Sequence, residues 1–352
     1  MAGHRTLSRR RIIAAGTAAL AAPALVGTAR AEAKRIVIRD IGIGSSFADA
    51  YGKGFKQATG IEVVAVTAQH EPTGMIKQMV DAGSYTWDMA ILSRMAADQL
   101  AAEGKGYAEP LRIEGHAGWK ALPGKFKTPY FAGNDVVATI LAYRKDRVKR
   151  APKSWADYWN VREFPGTRAL RRFPFDTIEQ ALLADGVPGE KLYPCDFARA
   201  FKSLDRIRKD ISVWWTSGAQ TSQLLKSGEV DFCPTWNGRA QGPINDGAPV
   251  AIMWEQALWQ SEGWVILKGT PKADLCREFV KYALAPERQA IFSAATGYGP
   301  TLTEAIRHIE PAKAKAMPTN PENDKGSILV DAGFWSANKD KAADLFNKWV
   351  VR

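Results

Sequence analysis

Residues 134–143 read Asn-Asp-Val-Val-Ala-Thr-Ile-Leu-Ala-Tyr. Four of these ten residues are β-branched, and no glycine or proline interrupts the run, so it predicts a long strand. The strand lies near the middle of a chain that is longer than one compact core usually takes. We therefore expect it to cross from one lobe to a second lobe, and Gly263–Leu267 predicts the strand that returns.

Strands and helices alternate on both sides of this crossing. Before it, strands are predicted at residues 35–39, 61–66 and 87–92, each followed by a helix. After it, strands at 211–215 and 230–233 flank a helix that begins with a glycine. This alternation indicates βαβ units and a parallel sheet, with the ligand site beyond the carboxyl ends of the strands.

The predicted fold class is therefore α/β, with two lobes and a ligand cleft between them. Each lobe is expected to be a mixed, mainly parallel sheet flanked by helices. The two crossing strands place residues 32–136 and 264–352 in lobe one and residues 137–263 in lobe two.

Residues 1–31 predict an export signal that is cleaved from the mature protein. They contain five arginines, no lysine and no acidic residue, and an alanine-rich apolar run follows the charged part. Ala29-Arg30-Ala31 provides an A-x-A cleavage site. The apolar run is too short to span a bilayer. The paired arginines before it resemble a twin-arginine signal, and a general secretory signal is the alternative.

The charge and the cysteines of the chain exclude some classes of protein. The net charge is +11, and removal of the five signal arginines leaves +6 on the mature chain. Lysines and acidic residues are interspersed, so a nucleic-acid partner is not expected. Cys195, Cys233 and Cys276 lack C-x-x-C spacing and lie among apolar residues. We expect three buried free thiols, although an exported protein can also pair two of them.

The mature sequence lacks the common motifs of catalysis and metal binding. Its three histidines, His70, His116 and His308, lie far apart, unlike the ligands of a zinc or facial-triad site. No Walker motif or G-x-S-x-G motif occurs, and Gly42-Ile-Gly44 lacks the third glycine of a dinucleotide-binding loop. We therefore expect no catalytic residue, no metal and no cofactor, with an exported enzyme as an alternative.

Several short motifs, taken together in their order along the chain, resemble a known family. They are Ser154-Trp155-Ala156-Asp157, Gly228-Glu229-Val230, Trp236-Asn237-Gly238 and Gly297-Tyr298. With the export signal and the two α/β lobes, they resemble the extracellular solute-binding proteins of ABC importers, and the spermidine/putrescine-binding branch in particular. The resemblance implies the type II periplasmic-binding-protein fold, a periplasmic location, a monomer and a membrane permease as partner.

In that family two lobes close over a small cationic solute, which is held by aromatic rings and acidic residues. An ammonium group above an aromatic ring gains roughly 0.5–2 kcal/mol, and each buried methylene group adds about 0.8 kcal/mol. Positions after strands and matches to the family together select nine candidates. Trp214, which alternates with Trp215, is expected in the core, and Arg239 is expected only to fix its loop. The predicted ligand-binding residues are Ser93, Arg94, Asp176, Trp215, Ser217, Trp236, Trp259, Glu262 and Tyr298.

Three features depart from a polyamine site. A second acid expected in lobe two is missing, since Arg171-Arg172 occupies its neighbourhood. Ile41-Gly-Ile-Gly44 replaces the aromatic residues of the first loop, and Arg94 stands where another aromatic residue is expected. These differences favour a compact zwitterion such as γ-aminobutyrate or a betaine over a polyamine. Ferric iron is disfavoured because no adjacent tyrosines occur, and a sensory binding protein would use the same cleft.

Overall fold

The computed structural model describes residues 34–42, 45–67, 72–102, 104 and 106–351. The predicted export signal, residues 1–31, lies outside this part of the chain. Parts of the two predicted ligand-facing loops, at residues 43–44 and 68–71, lie outside it as well.

The strands of the described residues form one mixed sheet flanked by helices. Eight of them follow the order β2-β1-β3-β10-β6-β9-β7-β8, and the four short strands pair with β6 or β10. The strands are β1 Arg35–Asp40, β2 Glu62–Thr67, β3 Met89–Ser93, β4 Ala108–Glu109, β5 Lys127–Thr128, β6 Phe131–Arg144, β7 Arg168–Arg171, β8 Ile211–Trp215, β9 Phe232–Trp236, β10 Val250–Leu267, β11 Gly299–Pro300 and β12 Ile328–Leu329.

The helices connect the strands and cover both faces of the sheet. A π-helical segment, Ala48–Gly52, lies between the first two α-helices. Short 3-10 segments lie at Gly124–Phe126, Gly189–Lys191, Arg208–Asp210 and Thr303–His308. The α-helices are α1 Ser45–Phe47, α2 Lys53–Thr59, α3 Thr73–Ala82, α4 Arg94–Ala102, α5 Ala117–Ala121, α6 Trp155–Trp159, α7 Pro174–Ala184, α8 Phe197–Ile207, α9 Gly218–Ser227, α10 Asn237–Asn245, α11 Ala273–Ala283, α12 Pro286–Thr296, α13 Pro311–Lys315, α14 Pro321–Asp324 and α15 Ala332–Val350.

Two long antiparallel strands, β6 and β10, form the centre of the sheet. All 14 residues of β6 are buried, as expected of a strand covered on both faces. β10 is one strand of 18 residues, whereas the sequence predicted two separate strands, at residues 250–254 and 263–267. Its pairing with β6 shifts register between Met253 and Leu258, and Gln256 there has a φ of 57°. This irregularity lets a polar stretch continue the strand instead of ending it.

Parallel strands lie on both sides of this central pair. The first strand set, β1 to β3, pairs in parallel and joins β10 through β3. The second strand set, β7 to β9, pairs in parallel and joins β6 through β9. The predicted α/β fold is therefore confirmed. Within the described residues, no helix combines the length and apolar character needed to cross a membrane.

The C-terminal helix α15 contacts α4, which follows β3, and it also packs against residues of the second strand set. The ring of Trp335 lies 5.1 Å from that of Phe175, and Trp349 lies 5.9 Å from Trp214. The assignment of residues 264–352 to lobe one stays a prediction, because α15 contacts helices that follow strands of both sets.

The three cysteines are buried as free thiols, as the apolar sequence around each one predicted. Burial raises the pKa of Cys195, Cys233 and Cys276 well above the ordinary value of a thiol. They are therefore protonated at neutral pH and behave as small apolar residues.

Candidate ligand-binding site

Several predicted residues lie at the carboxyl ends of parallel strands. Ser93 is the last residue of β3, Trp215 of β8 and Trp236 of β9. Arg171, which was not predicted as a ligand-binding residue, ends β7. Because ligands of α/β sheets bind beyond this edge, these four positions mark the candidate site.

Four residues of the second strand set form a group that we call the tryptophan cluster: Arg171, Asp176, Trp215 and Trp236. The two indole rings meet edge to face with their centres 5.8 Å apart. The Arg171 guanidinium lies 5.5 Å from the centre of Trp215 and 5.0 Å from that of Trp236. Arg171 Nη1 also donates a hydrogen bond of 2.9 Å to Asp176 Oδ2. A cation, an anion and two aromatic rings are therefore in contact.

Asp176 occupies a strained and fully buried position within this cluster. Its φ of 69° is unfavourable for a residue with a Cβ, and it lies at a kink in α7. Burial raises the pKa of its carboxyl group, and the positive charge of Arg171 and hydrogen bonds from Thr139 and Trp236 oppose this rise. The carboxylate thus orients Arg171 and Trp236, and backbone strain of this kind is common at functional sites.

Of the two adjacent tryptophans at the end of β8, Trp215 is the more deeply buried one, whereas the sequence predicted that Trp214 would be. Trp215 is 1% exposed and packs behind Trp236, whereas Trp214 is half-buried and contacts Trp349 of α15. The expectation that Trp214 is the core member is therefore wrong. Alternation along a strand shows that two neighbours face opposite sides, but it does not show which side the site lies on. Trp236 is half-buried, so it is the more accessible ring of the cluster.

Glu262 lies in β10, directly between two other polar residues of the sheet. It is opposite Ser93 of β3 on one side and opposite Asp135 of β6 on the other. Ser93 Oγ accepts a hydrogen bond of 3.2 Å from Ala96 N in the first turn of α4. Two predicted residues, Ser93 and Glu262, are thus adjacent, and Asp135 is a third polar residue that the sequence did not single out.

Tyr298 and Arg239 line a small cavity beside these acids. Burial raises the pKa of Tyr298, the negative charge of Glu262 raises it further, Arg239 lowers it and Asp135 raises it. Arg239 Nε is buried without a hydrogen-bond partner among the described residues. Charged groups of both signs therefore act on Tyr298, although Glu262 and Asp135 are not among the residues that line the cavity. The cavity has a volume of about 250 Å³ and is lined by Gly42, Ser46, Gly238, Arg239, Ala295, Thr296 and Tyr298.

The first turn of α10 fixes this arrangement. Asn237 Oδ1 accepts a hydrogen bond from Ala138 N of β6, and Asn237 Nδ2 donates one of 2.7 Å to Gly297 O. A Cβ at position 238 would lie 2.7 Å from Tyr298 Cε1, so only glycine allows this approach. The Trp-Asn-Gly motif that suggested the family thus holds β6 and the Tyr298 loop together.

Arg94 and Trp259 lie together in a different cavity, of about 590 Å³. Lys125 Nζ lies 4.7 Å from the centre of the Trp259 ring, so the protein's own cation covers that ring. Arg94 Nε is paired with Asp98 Oδ1 at 2.8 Å. Among the described residues, Arg94 and Trp259 line this cavity together, and neither of them lines the cavity of Arg239 and Tyr298.

Among the described residues, the Ser217 side chain forms a hydrogen bond only with its own helix, α9. Its Oγ accepts a hydrogen bond of 3.3 Å from Gln220 N and caps α9, and the residue is exposed. This is the behaviour of an N-cap serine. No described contact joins Ser217 to the other predicted site residues.

Helix α7 carries a second buried acid that was not predicted. Glu179 lies three residues after Asp176, and its Oε1 accepts hydrogen bonds from Tyr193 and Trp335. Burial and the charge of Asp176 raise the pKa of Glu179 to about 8. Glu179 does not occupy the position of the family's second acid, where Arg171 and Arg172 stand, so it is an additional acid. The i, i+3 spacing of the two acids was the signal that could have revealed Glu179.

The described residues contain no group of three or more histidine, cysteine, aspartate or glutamate side chains that could hold a metal ion. The polar groups gathered near Tyr298 are instead one arginine, two carboxyls and a phenol. These groups suit an organic solute that carries charges of both signs.

Comparison with known proteins places the chain in a family. Residues 50–319 match the family described as "Bacterial extracellular solute-binding protein". The γ-aminobutyric acid-binding protein of Pseudomonas aeruginosa is 35% identical over 339 residues, which cover 94% of each chain.

Solved structures show the same relationship. An ABC transporter substrate-binding protein from Bradyrhizobium japonicum is 33% identical, with a TM-score of 0.84 over 90% of this chain and 99% of that one. The Atu4243 GABA receptor is 32% identical, with a TM-score of 0.82 over 90% of this chain and 98% of that one. The chain therefore belongs to the bacterial extracellular solute-binding protein family.

Proposed function

We propose that this protein is the periplasmic substrate-binding component of an ABC importer, and that its solute is a compact zwitterion of the γ-aminobutyrate type. Membership of the solute-binding family supports the general role. Two relatives, at 35% and 32% identity, are named for γ-aminobutyrate. The signal-like residues 1–31 support export, with a twin-arginine signal as the favoured route, and the membrane permease is the partner.

One observation carries the choice of solute: Arg239 and Tyr298 line the 250 Å³ cavity, and the negative charges of Glu262 and Asp135 act on Tyr298. Arg239 binds the solute's carboxylate, since a guanidinium matches a carboxylate in charge and geometry. Glu262 binds the ammonium group. Trp236, at the end of β9 and just before the cavity-lining Gly238, packs against the methylene groups between the two charged ends. A low-dielectric site strengthens each of these polar contacts.

A polyamine is the second candidate, and the tryptophan cluster argues against it. Arg171 already lies over both indole rings and is paired with Asp176. An ammonium group about 5 Å from that guanidinium would be repelled by roughly 3 kcal/mol at an effective dielectric constant of about 20. A zwitterion offsets this repulsion with its own carboxylate, and a diamine does not.

The crossing strands suggest how the site closes. We propose that the first strand set with the first half of β6 forms lobe one, and that the second strand set with α15 belongs to lobe two. The 250 Å³ cavity takes Gly42 and Ser46 from the first and Gly238 and Arg239 from the second. A solute that touches both lobes stabilises the closed form by its extra contacts there. The closed monomer then delivers the solute to the permease or to a sensory partner.

Binding without catalysis is part of this proposal. A solute recovered unchanged after long incubation with the protein would agree with it. Turnover that disappears when one polar residue of the cavity is substituted would instead indicate an exported enzyme.

Isothermal titration calorimetry with γ-aminobutyrate, putrescine and glycine betaine tests the proposal. We expect γ-aminobutyrate to bind more tightly than putrescine. Arg239→Met should weaken γ-aminobutyrate binding by about 10- to 150-fold, because a charged hydrogen bond contributes about 1.5–3 kcal/mol. Arg162→Met is the control, since the Arg162 side chain is 89% exposed. Tighter binding of putrescine than of γ-aminobutyrate would contradict the proposed solute.

A further inference from the structure

We propose that Asp135 is a second acid of the ammonium subsite, and that the solute's ammonium group binds between Asp135 and Glu262. This inference rests on the proposed function, since it requires a solute with an ammonium group. Asp135 lies in residues 134–143, the stretch that predicted the crossing strand, and nothing in the sequence indicated that it belongs to the site.

The register of the sheet places Asp135 between Glu262 and the short strand that follows Tyr298. It pairs with Glu262 of β10 on one side and with Pro300 of β11 on the other. Directly opposite residues in an antiparallel pair have Cβ atoms about 4.5–5.5 Å apart and point to the same face. Tyr298, which lines the cavity, lies two residues before Pro300. The two carboxyl groups are therefore close enough to share one ammonium group.

The hydrogen bonds of Asp135 leave one carboxyl oxygen unused. Oδ1 accepts a bond of 2.9 Å from Asn134 Nδ2, and Tyr51 donates its hydroxyl proton to Asn134 Oδ1. This chain fixes the orientation of the Asp135 carboxyl group. Oδ2 is buried and has no hydrogen-bond partner among the described residues. Leaving such an acceptor unsatisfied is costly, and a bound ammonium group removes the cost.

Charge makes the pair selective for a cation. Two carboxyl groups this close do not both ionise readily without a cation between them. Burial raises the pKa of Asp135 to about 7, and the bond from Asn134 opposes this rise. Within the part of the chain that the structure describes, Tyr51, Glu262 and Tyr298 are the ionisable groups that the sheet pairing and the electrostatics place near Asp135, and none of these three brings a positive charge. Arg239 is the cation beside Tyr298, and in the proposed function it is taken by the solute's carboxylate.

Calorimetry with γ-aminobutyrate at pH 6 and pH 8 tests the role of Asp135. In the parent protein we expect tighter binding at pH 8, because protonation of Asp135 at low pH competes with the ammonium group. Asp135→Asn should raise Kd at pH 8 by about 10- to 100-fold, the loss of a charged hydrogen bond. It should also abolish the pH dependence. The melting temperature of the free protein should not fall, because asparagine keeps an acceptor and removes a buried charge.

Asp88→Asn is the matched control. Asp88 is also a buried aspartate, but both of its carboxyl oxygens accept hydrogen bonds, from Thr270 Oγ1 and Val37 N. Its substitution should lower the melting temperature and leave Kd unchanged. If Asp135→Asn does not fold, the smaller neutral variant Asp135→Ser replaces it in the same measurement.

The outcomes separate this inference from the proposed function. If the parent protein does not bind γ-aminobutyrate, the proposed function fails, and this inference fails with it. If the parent binds and Asp135→Asn has the same Kd at both pH values, only the inference is overturned. A lower melting temperature with an unchanged Kd would show that Asp135 has a structural role only.

Discussion

Replacing Trp236 by alanine should weaken solute binding more than any other single aromatic change in the cluster. Its ring is the accessible one of the pair, since Trp215 packs behind it with ring centres 5.8 Å apart. The change removes contacts with the solute's methylene groups, at about 0.8 kcal/mol for each group buried. Two or three such groups predict a loss of roughly 1.6–2.4 kcal/mol, or about 15- to 60-fold in Kd.

The same substitution also affects the free protein. Trp236 lies under the Arg171 guanidinium and donates a hydrogen bond to Asp176. The free energy of unfolding should therefore fall by about 1–3 kcal/mol, from the lost ring contacts and one missing hydrogen bond. Calorimetry must be done well below the melting temperature of the variant, so that the measured Kd belongs to the folded protein.

Trp214→Ala is the control for this experiment. Trp214 lies next to the cluster in sequence but packs against Trp349, 5.9 Å away. Trp214→Ala should lower the melting temperature, because α15 loses this contact, and it should leave Kd nearly unchanged. Binding of γ-aminobutyrate to folded Trp236→Ala with the parent's Kd would show that the solute does not touch this ring.

Two further predictions concern the loop of Tyr298 and the buried acid of α7. Gly238→Ala places a Cβ 2.5 Å from Thr296 O and 2.7 Å from Tyr298 Cε1, so it should cost about 1–3 kcal/mol of stability and weaken solute binding in calorimetry. Gly242→Ala on the same helix has no atom within 4 Å of the new Cβ, and it should affect neither. The pKa of Glu179 is raised from 4.5 to about 8, so the folded state holds a proton that the unfolded state releases. Its contribution to the free energy of unfolding is complete below about pH 4.5 and is lost as pH rises through about 8. Glu179→Gln should flatten this decline in denaturation curves measured from pH 5 to pH 8, and an unchanged decline would show that Glu179 is ionised in the folded protein.

Hydrophobic pattern predicted most of the fold because local sequence determines it. β8 has the predicted bounds, 211–215. The crossing strand is longer than predicted only at its ends. The long β10 was divided in two because the polar residues near Gln256 look like a break, and a local irregularity is visible only when both strands are paired.

The site was harder to predict because it depends on contacts between distant parts of the chain. Trp236, Glu262 and Tyr298 were recognisable from strand ends and from family motifs. Arg239 and Asp135 were not recognisable from the sequence. Arg239 is important because it lines the cavity, and Asp135 is important because it faces Glu262 in the sheet. An aspartate within an apolar strand gives no sign of which residue it will face.

The most direct test of the proposed function is a crystal structure of the protein grown with γ-aminobutyrate. We predict density for the solute between Arg239 and Glu262, with its carboxylate within hydrogen-bond distance of the guanidinium and its methylene groups against Trp236. Solute density in the 590 Å³ cavity beside Trp259 and Lys125, with the Arg239 cavity empty, would contradict the assignment of the site.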